Sequence, residues 1–245
     1  MGTVILLRHG RTSANVAGTL SGRTKGVHLD DLGRQQAERA ARRLAAVPLA
    51  DIVSSPLERC RETARPIVTA QEATLRVHTD RGLTECDYGE WQGRSLKDLA
   101  KVALWRTVQA QPSAVTFPGG ESLPQMQARA VDAVRRRDAA ITSAHGDAAV
   151  WVAVSHGDVI KSVLADALGM HLDLFQRIQV DPASISVIRY TAARPYVLAS
   201  NTHDGDLSWL APLRKGRRSA QAGSRRRPER GAEVGGGAGP ASASA

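Results

Sequence analysis

Short apolar runs alternate along this chain with stretches whose apolar positions recur at helical spacing. Val4-Ile5-Leu6-Leu7 reads as a short buried strand. Ala37, Ala40, Ala41 and Leu44 follow a helical repeat, with Asp30 placed to cap it. Asp51-Ile52-Val53 predicts a second strand. Behind it the sequence predicts a helix with Ser55 at the N-cap, Pro56 at N1 and Glu58 at N3, closing a capping box. Leu75 and Val77 mark a third strand. Helices are expected over 95–110 and 122–144, the second capped by Ser122 with Gln125 three residues on. Val150–Val154 is a continuous apolar strand. The helix after it puts Ile160, Val163, Leu164, Ala167 and Leu168 on one face and ends before Gly169. Ile185/Val187 and Tyr196–Leu198 predict a closing hairpin. Strands alternating with helices, without an internal repeat, predict an α/β layered domain.

Composition narrows the class. The chain has 245 residues, 42% hydrophobic and 23% charged, which excludes wholesale disorder. No apolar run approaches the ~20 residues of a membrane-spanning helix, and the N-terminal apolar stretch is too short for a secretory signal. Cys60 and Cys86 offer neither metal-ligand spacing nor a disulfide framework, so a cytoplasmic location is expected. The formal net charge of +9 is unevenly spread. Residues 214–245 carry eight basic residues against Glu229 and Glu233 in a Gly/Ala/Ser/Arg-rich composition with few large apolar residues. They are expected to form a disordered basic tail behind a domain of residues 1–213. The body keeps a formal charge of only +3, so the charge does not call for a nucleic-acid partner; a phosphate- or RNA-attracting arm is the alternative reading of the tail.

Two histidines share one context. Val4-Ile5-Leu6-Leu7 runs into Arg8-His9-Gly10, and Val150–Val154 into Ser155-His156-Gly157. In open α/β sheets ligands bind beyond the carboxyl ends of strands, where both imidazoles fall. The glycines Gly10 and Gly157 let backbone approach a ligand closely. A single histidine so placed also reads as a structural one; two, with Arg8 beside them, favour a site. A third strand delivers Ser54-Ser55-Pro56-Leu57-Glu58-Arg59, with Arg59 in the first turn of a helix. A guanidinium near a helix N-terminus suits an anion, the alternative being a surface ion pair.

Five segments occur in order: Arg8-His9-Gly10; Ser55-Pro56-Leu57-x-Arg59-x-x-x-Thr63; Leu83-Thr84-Glu85-x-Asp87-Tyr88-Gly89-x-Trp91-x-Gly93; Pro118-Gly119-Gly120-Glu121-Ser122; and Ser155-His156-Gly157-Asp158. Together they resemble the histidine phosphatases of the phosphoglycerate mutase-like superfamily, over about residues 3 to 200. The resemblance implies a three-layer α/β/α sandwich around a mostly parallel sheet. It implies that His9 is the nucleophile that becomes phosphohistidine, that Arg8, Arg59 and His156 surround the phosphoryl group, and that Asn15 and Gly157 help bind it. Glu85 matches the family's proton donor. No metal and no cofactor is required in that scheme, and a homodimer is an open possibility of the family.

The branch bears on the substrate, a small phosphomonoester. Cofactor-dependent phosphoglycerate mutases carry a longer insertion after the acid. Here only about 30 residues separate Glu85 from Pro118, and the segment around Glu85 is similar to the broad-specificity and α-ribazole phosphatases. Hydrolysis is therefore expected over mutase activity. A non-catalytic module that binds a phosphorylated ligand is the alternative of another class, against which stands the presence of all five candidate catalytic residues. Leu96, Leu99, Leu104 and Trp105 would either pack in the core or cover the pocket. Other phosphatase chemistries fit poorly: Cys60 lacks an arginine six residues on, and Asp204-Gly205-Asp206 follows no clean buried strand. His28, His78, His145, His171 and His203 are expected to be surface or structural.

Overall fold

Residues 2–211 are described by a computed structural model, and their apolar runs build one six-stranded sheet. The strands are β1 (Thr3–Arg8), β2 (Asp51–Ser54), β3 (Val77–Thr79), β4 (Val150–Ser155), β5 (Ile185–Arg189) and β6 (Tyr196–Thr202). Their order is β3-β2-β4-β1-β5-β6. The first four run parallel; β5 is antiparallel to β1, and β6 pairs antiparallel with β5 as the expected hairpin. The expected tail, residues 214–245, lies outside the described residues.

Among the described residues seven α-helices accompany the sheet, besides short 3-10 turns: α1 (Ser13–Val16), α2 (Asp31–Leu44), α3 (Glu58–Ala70), α4 (Leu96–Leu99), α5 (Ala103–Ala110), α6 (Leu123–His145) and α7 (Gly157–Ala167). On one face of the sheet Ile5, Leu7, Val152 and Val154 pack with Ala41 and Leu44 of α2 and Ala64 and Ile67 of α3. On the other, Val4, Leu6, Trp151 and Ala153 pack with Met126, Ala130 and Val134 of α6 and Val159 and Val163 of α7. Burial on both faces is why β1 and β4 read as unbroken apolar runs instead of alternating ones. Among the described residues no helix is long and apolar enough to cross a membrane.

The caps at Asp30 and Ser122 form as expected. Asp30 accepts from the Gly33 N–H at 2.7 Å, and Ser122 with Gln125 makes a reciprocal box. Gly169 takes a left-handed conformation just past α7, at φ +66°. The cap at Ser55 does not form: α3 starts at Glu58, its N-cap is Leu57, and no side chain caps it. The Ser55 hydroxyl is drawn to His156 instead. The single helix expected over 95–110 is two, α4 and α5, with Leu99 and Val108 both buried. At ~100° per residue the nine-residue step between them amounts to half a turn too many, so one straight helix would aim them in opposite directions. Leu75 precedes β3, which begins at Val77.

Strand register is what assembles the site. Arg8 of β1 pairs with Ser155 of β4, so His9 and His156 leave the sheet side by side. Ser54 of β2 pairs with Val154, which brings Ser55 alongside Ser155 at the same carboxyl edge.

Candidate active site

His9 is 5% exposed, and its Nδ1 lies 2.7 Å from the Gly10 carbonyl oxygen. On its other side Arg59 Nε donates to His9 Nε2 at 3.3 Å. A guanidinium can only donate, so Nε2 carries the lone pair and Nδ1 the proton. Burial, and then the charges of Arg59 and Arg8, hold His9 well below the ordinary 6.5, so the ring is neutral near pH 7.

His156 ends β4 and stands T-shaped to His9, ring centroids 5.3 Å apart. Arg59 Nη2 donates to its Nδ1 at 3.2 Å, leaving the Nε2–H to donate to Ser55 Oγ at 2.8 Å. The ring is completely buried, and burial with the charge of Arg59 lowers its basicity well below normal. It sits behind Arg59 and does not itself line the cavity.

Two guanidinium nitrogens are left over. Arg59 is 2% exposed; its Nη2 also donates to the Gly22 carbonyl at 2.7 Å, and its Nη1 is buried with no partner. Arg8 spends Nη1 on the Val180 carbonyl at 2.6 Å, and its Nε is likewise buried and unpartnered. Orphaned charged donors are costly, and here both belong to the walls of one cavity that also exposes His9. A three-oxygen anion would satisfy them. Gly157 at the start of α7 lines the same wall; a Cβ there would lie 3.5 Å from Arg8 Nε.

Glu85 faces this cavity, 9% exposed, and its Oε1 accepts from the Cys86 N–H at 3.0 Å. Burial and then the charge of Asp158 push its pKa up from 4.5 to about 7, against the opposing pull of the Cys86 N–H, Arg59 and Arg8. Asp158 accepts from the Tyr88 hydroxyl at 2.8 Å.

The loop that carries Glu85 is clamped by its own carbonyl oxygen. Arg23 Nε donates to it at 2.9 Å and Arg129 Nη2 at 3.1 Å. Glu121 ties the two arginines together, accepting from Arg23 Nη2 at 2.9 Å and Arg129 Nε at 3.0 Å. The segments around Asp87 and Glu121 interlock through glycine. A Cβ on Gly89, at φ +52°, would fall 2.1 Å from the Pro118 carbonyl oxygen, and one on Gly120 2.2 Å from that of Asp87.

The expected residues Arg8, His9, Asn15, Arg59, Glu85 and Gly157 therefore meet at one cavity of about 330 Å³, with His156 one layer behind. Asn15 is exposed at the rim, its Oδ1 turned back to the Thr12 N–H at 3.0 Å. Of the four residues weighed between core and cover, Leu96 and Trp105 line the cavity, whereas Leu99 and Leu104 pack with the core. Sequence reading assigned no role to Ser55 beyond its cap, nor any to Arg23 and Arg129. Ser55 carried a signal, since it too follows a strand end; the arginines carried none. Among the described residues no group of three or more His, Cys, Asp and Glu is placed to hold a metal ion.

Comparison with known proteins fits this geometry. Residues 4–203 match the family model described as the histidine phosphatase superfamily, branch 1. The chain is 35% identical over 164 residues to phosphoglycerate mutase-like protein 4 of Arabidopsis thaliana, covering 65% of this chain and 68% of that one. It is 31% identical over 203 residues to phosphoserine phosphatase 1 of Hydrogenobacter thermophilus, covering 81% and 91%. Mycobacterial relatives 35% identical over 193 residues are longer, and the chain spans 50% of their length. Among solved structures, mycobacterial glucosyl-3-phosphoglycerate phosphatase in complex with VO3 superposes with a TM-score of 0.70 at 26% identity, covering 81% of this chain and 98% of that one. Matched over nearly all of its described length, the chain belongs to branch 1 of the histidine phosphatase superfamily.

Proposed function

We propose that this chain hydrolyses small phosphomonoesters through a phosphohistidine on His9. The observation that carries the reading is the pair of buried, unpartnered donors, Arg8 Nε and Arg59 Nη1, on the two arginines that line the same cavity as His9. Neutral His9 Nε2 attacks phosphorus, and the P–O bond to the leaving group breaks as the P–N bond forms. The two guanidinium groups hold the phosphoryl oxygens, with His156 holding Arg59 from behind. Glu85, protonated up to about pH 7, gives its proton to the leaving oxygen. The resulting carboxylate then takes a proton from water as that water attacks phosphohistidine, releasing phosphate and restoring both groups. Asn15 and Gly157 complete the binding surface in this reading. Relatives named as phosphatases support hydrolysis over return of the phosphoryl group to a bound glycerate. The same proposal puts the enzyme in the cytoplasm, where its two buried cysteines stay free thiols, and includes self-association as a homodimer, which light scattering reads directly.

Phosphate release from an aryl phosphate in excess EDTA tests the chemistry, comparing wild type with His9→Ala. Activity that resists EDTA and disappears in the variant is expected. Activity that needs metal, or survives without His9, would overturn the proposal.

A further inference from the structure

The peptide group that joins Glu85 to Cys86 is gripped at both ends. Its carbonyl oxygen accepts from Arg23 Nε at 2.9 Å and from Arg129 Nη2 at 3.1 Å, one guanidinium for each lone pair. Its N–H, on Cys86, donates to Glu85 Oε1 at 3.0 Å. A trans peptide is planar with C=O and N–H pointing opposite ways, so fixing the oxygen also fixes the direction of the N–H. A carboxyl that accepts at Oε1 carries its acid proton on Oε2. The two arginines, which bind Glu85 through its main chain, thereby set which of its side-chain oxygens holds the proton.

The grip is braced and balanced in charge. Arg129 Nη1 also holds the Gly82 and Thr84 carbonyls, at 2.8 and 2.7 Å, so one side chain fixes the approach to the acid. Glu121 accepts from both arginines and from the Asp87 N–H at 2.9 Å, and Asp87 Oδ2 lies 3.3 Å from Arg23 Nη1. Two guanidinium groups thus face two carboxylates, and what they supply at Glu85 is direction more than field.

We propose that Arg23 and Arg129, tied together by Glu121, are positioning residues for the proton transfer, acting on the Glu85 carboxyl through the Glu85–Cys86 peptide plane. The inference rests on the phosphatase reading above, in which Glu85 protonates the leaving oxygen.

Leaving groups separate positioning from a merely structural role. An alkoxide leaves only if it is protonated, whereas nitrophenolate leaves unaided, so a misplaced acid shows on one ester and not on the other. kcat/KM is measured for ethyl phosphate and p-nitrophenyl phosphate on wild type, Arg23→Gln, Arg23→Lys and Arg129→Lys. Arg23→Gln is expected to lower the ethyl phosphate value about tenfold or more, equivalent to ~1.4 kcal/mol, and the p-nitrophenyl phosphate value by less than about threefold. The lysine variants keep the charge but not the fork that reaches carbonyl and carboxylate at once, so the same split is expected in them, though smaller. Equal losses on both esters, or no loss on ethyl phosphate, would overturn the positioning role while leaving the acid role of Glu85 standing. Glu85→Gln is the reference, expected to release p-nitrophenol in a single stoichiometric burst and no ethanol. Ethanol release that survives Glu85→Gln, or a wild type that hydrolyses only the nitrophenyl ester, would sink the acid role and the positioning together. Hydrolysis of neither ester by the wild type would sink the phosphatase reading itself.

Discussion

Replacing Glu85 with Gln separates the carboxyl's chemical value from its thermodynamic cost. In the fold its pKa lies at about 7, raised from 4.5 chiefly by burial and next by Asp158. At ~1.4 kcal/mol per pH unit, that gap amounts to about 3 kcal/mol of preference for the protonated form. The sign follows from proton linkage. Between pH 4.5 and about 7 the unfolded chain has released this proton while the folded chain keeps it. Stability from this group is therefore whole below pH 4.5 and falls as pH rises to about 7, where the loss levels off. Glutamine has no proton to lose and can still accept from the Cys86 N–H. Urea unfolding at pH 4, 6 and 8, without phosphate in the buffer, reads the outcome. The stability of Glu85→Gln relative to wild type is expected to rise by about 3 kcal/mol between pH 4 and pH 8. Most of the rise should be in place by pH 7, while turnover is lost at every pH. A gap constant with pH would refute the reasoning. A gap that moved the other way would mean that Arg8 and Arg59 pair with Glu85 strongly enough to outweigh burial, which would leave it a poor acid.

Three further expectations follow from the same geometry. The kcat/KM of the wild type should fall above about pH 7 as Glu85 ionises, and Asp158→Asn, by removing the second cause of its raised pKa, should move that limb to lower pH; a pH–rate profile in which the limb stays put or rises would contradict this. Ser55→Ala leaves the buried His156 Nε2–H only the weak acceptor Cys60 Sγ at 3.4 Å, so it should lower kcat/KM and cost about 1–3 kcal/mol in urea unfolding, whereas a capping serine would affect stability alone. Gly157→Ala places a methyl against the unpartnered Arg8 Nε without backbone strain, so inhibition by inorganic phosphate or vanadate should weaken by about tenfold, or ~1.4 kcal/mol, while Tm holds or rises.

The layers were legible because both faces of β1 and β4 are buried, and such strands advertise themselves as unbroken apolar runs. The caps at Asp30 and Ser122 were legible because each keeps an oxygen for its helix end: Ser122 Oγ accepts from the Gln125 N–H, and Asp30 caps with Oδ1 while its Oδ2 accepts from Arg11 Nε at 2.7 Å. Ser55 had the same local signature and went elsewhere, its hydroxyl accepting from a buried imidazole N–H at 2.8 Å that would otherwise lack a strong acceptor. The break between α4 and α5 was hidden for a related reason. Residues 96–108 satisfy helical spacing piecewise, and only the core's demand for both Leu99 and Val108 shows that one axis cannot serve.

The candidate site divides in the same way. Its candidate residues could be named from the chain because their chemistry is carried by side-chain type: imidazoles after strands, an arginine in a first helical turn, a carboxyl in a recognisable segment. Their states could not. That His9 Nε2 holds the lone pair depends on the Gly10 carbonyl on one side and Arg59 on the other. That Glu85 keeps a proton depends on burial and on Asp158, 73 positions away in the chain. The clamp of Arg23, Glu121 and Arg129 on one carbonyl oxygen spans more than 100 residues. Sequence by itself determined which groups are available and which segments bury them, since residue type and apolar period are local properties. Tertiary structure decided strand register, tautomer, protonation and which donors stay unpartnered, because each is a balance of fields and hydrogen bonds from groups that the chain brings together only by folding.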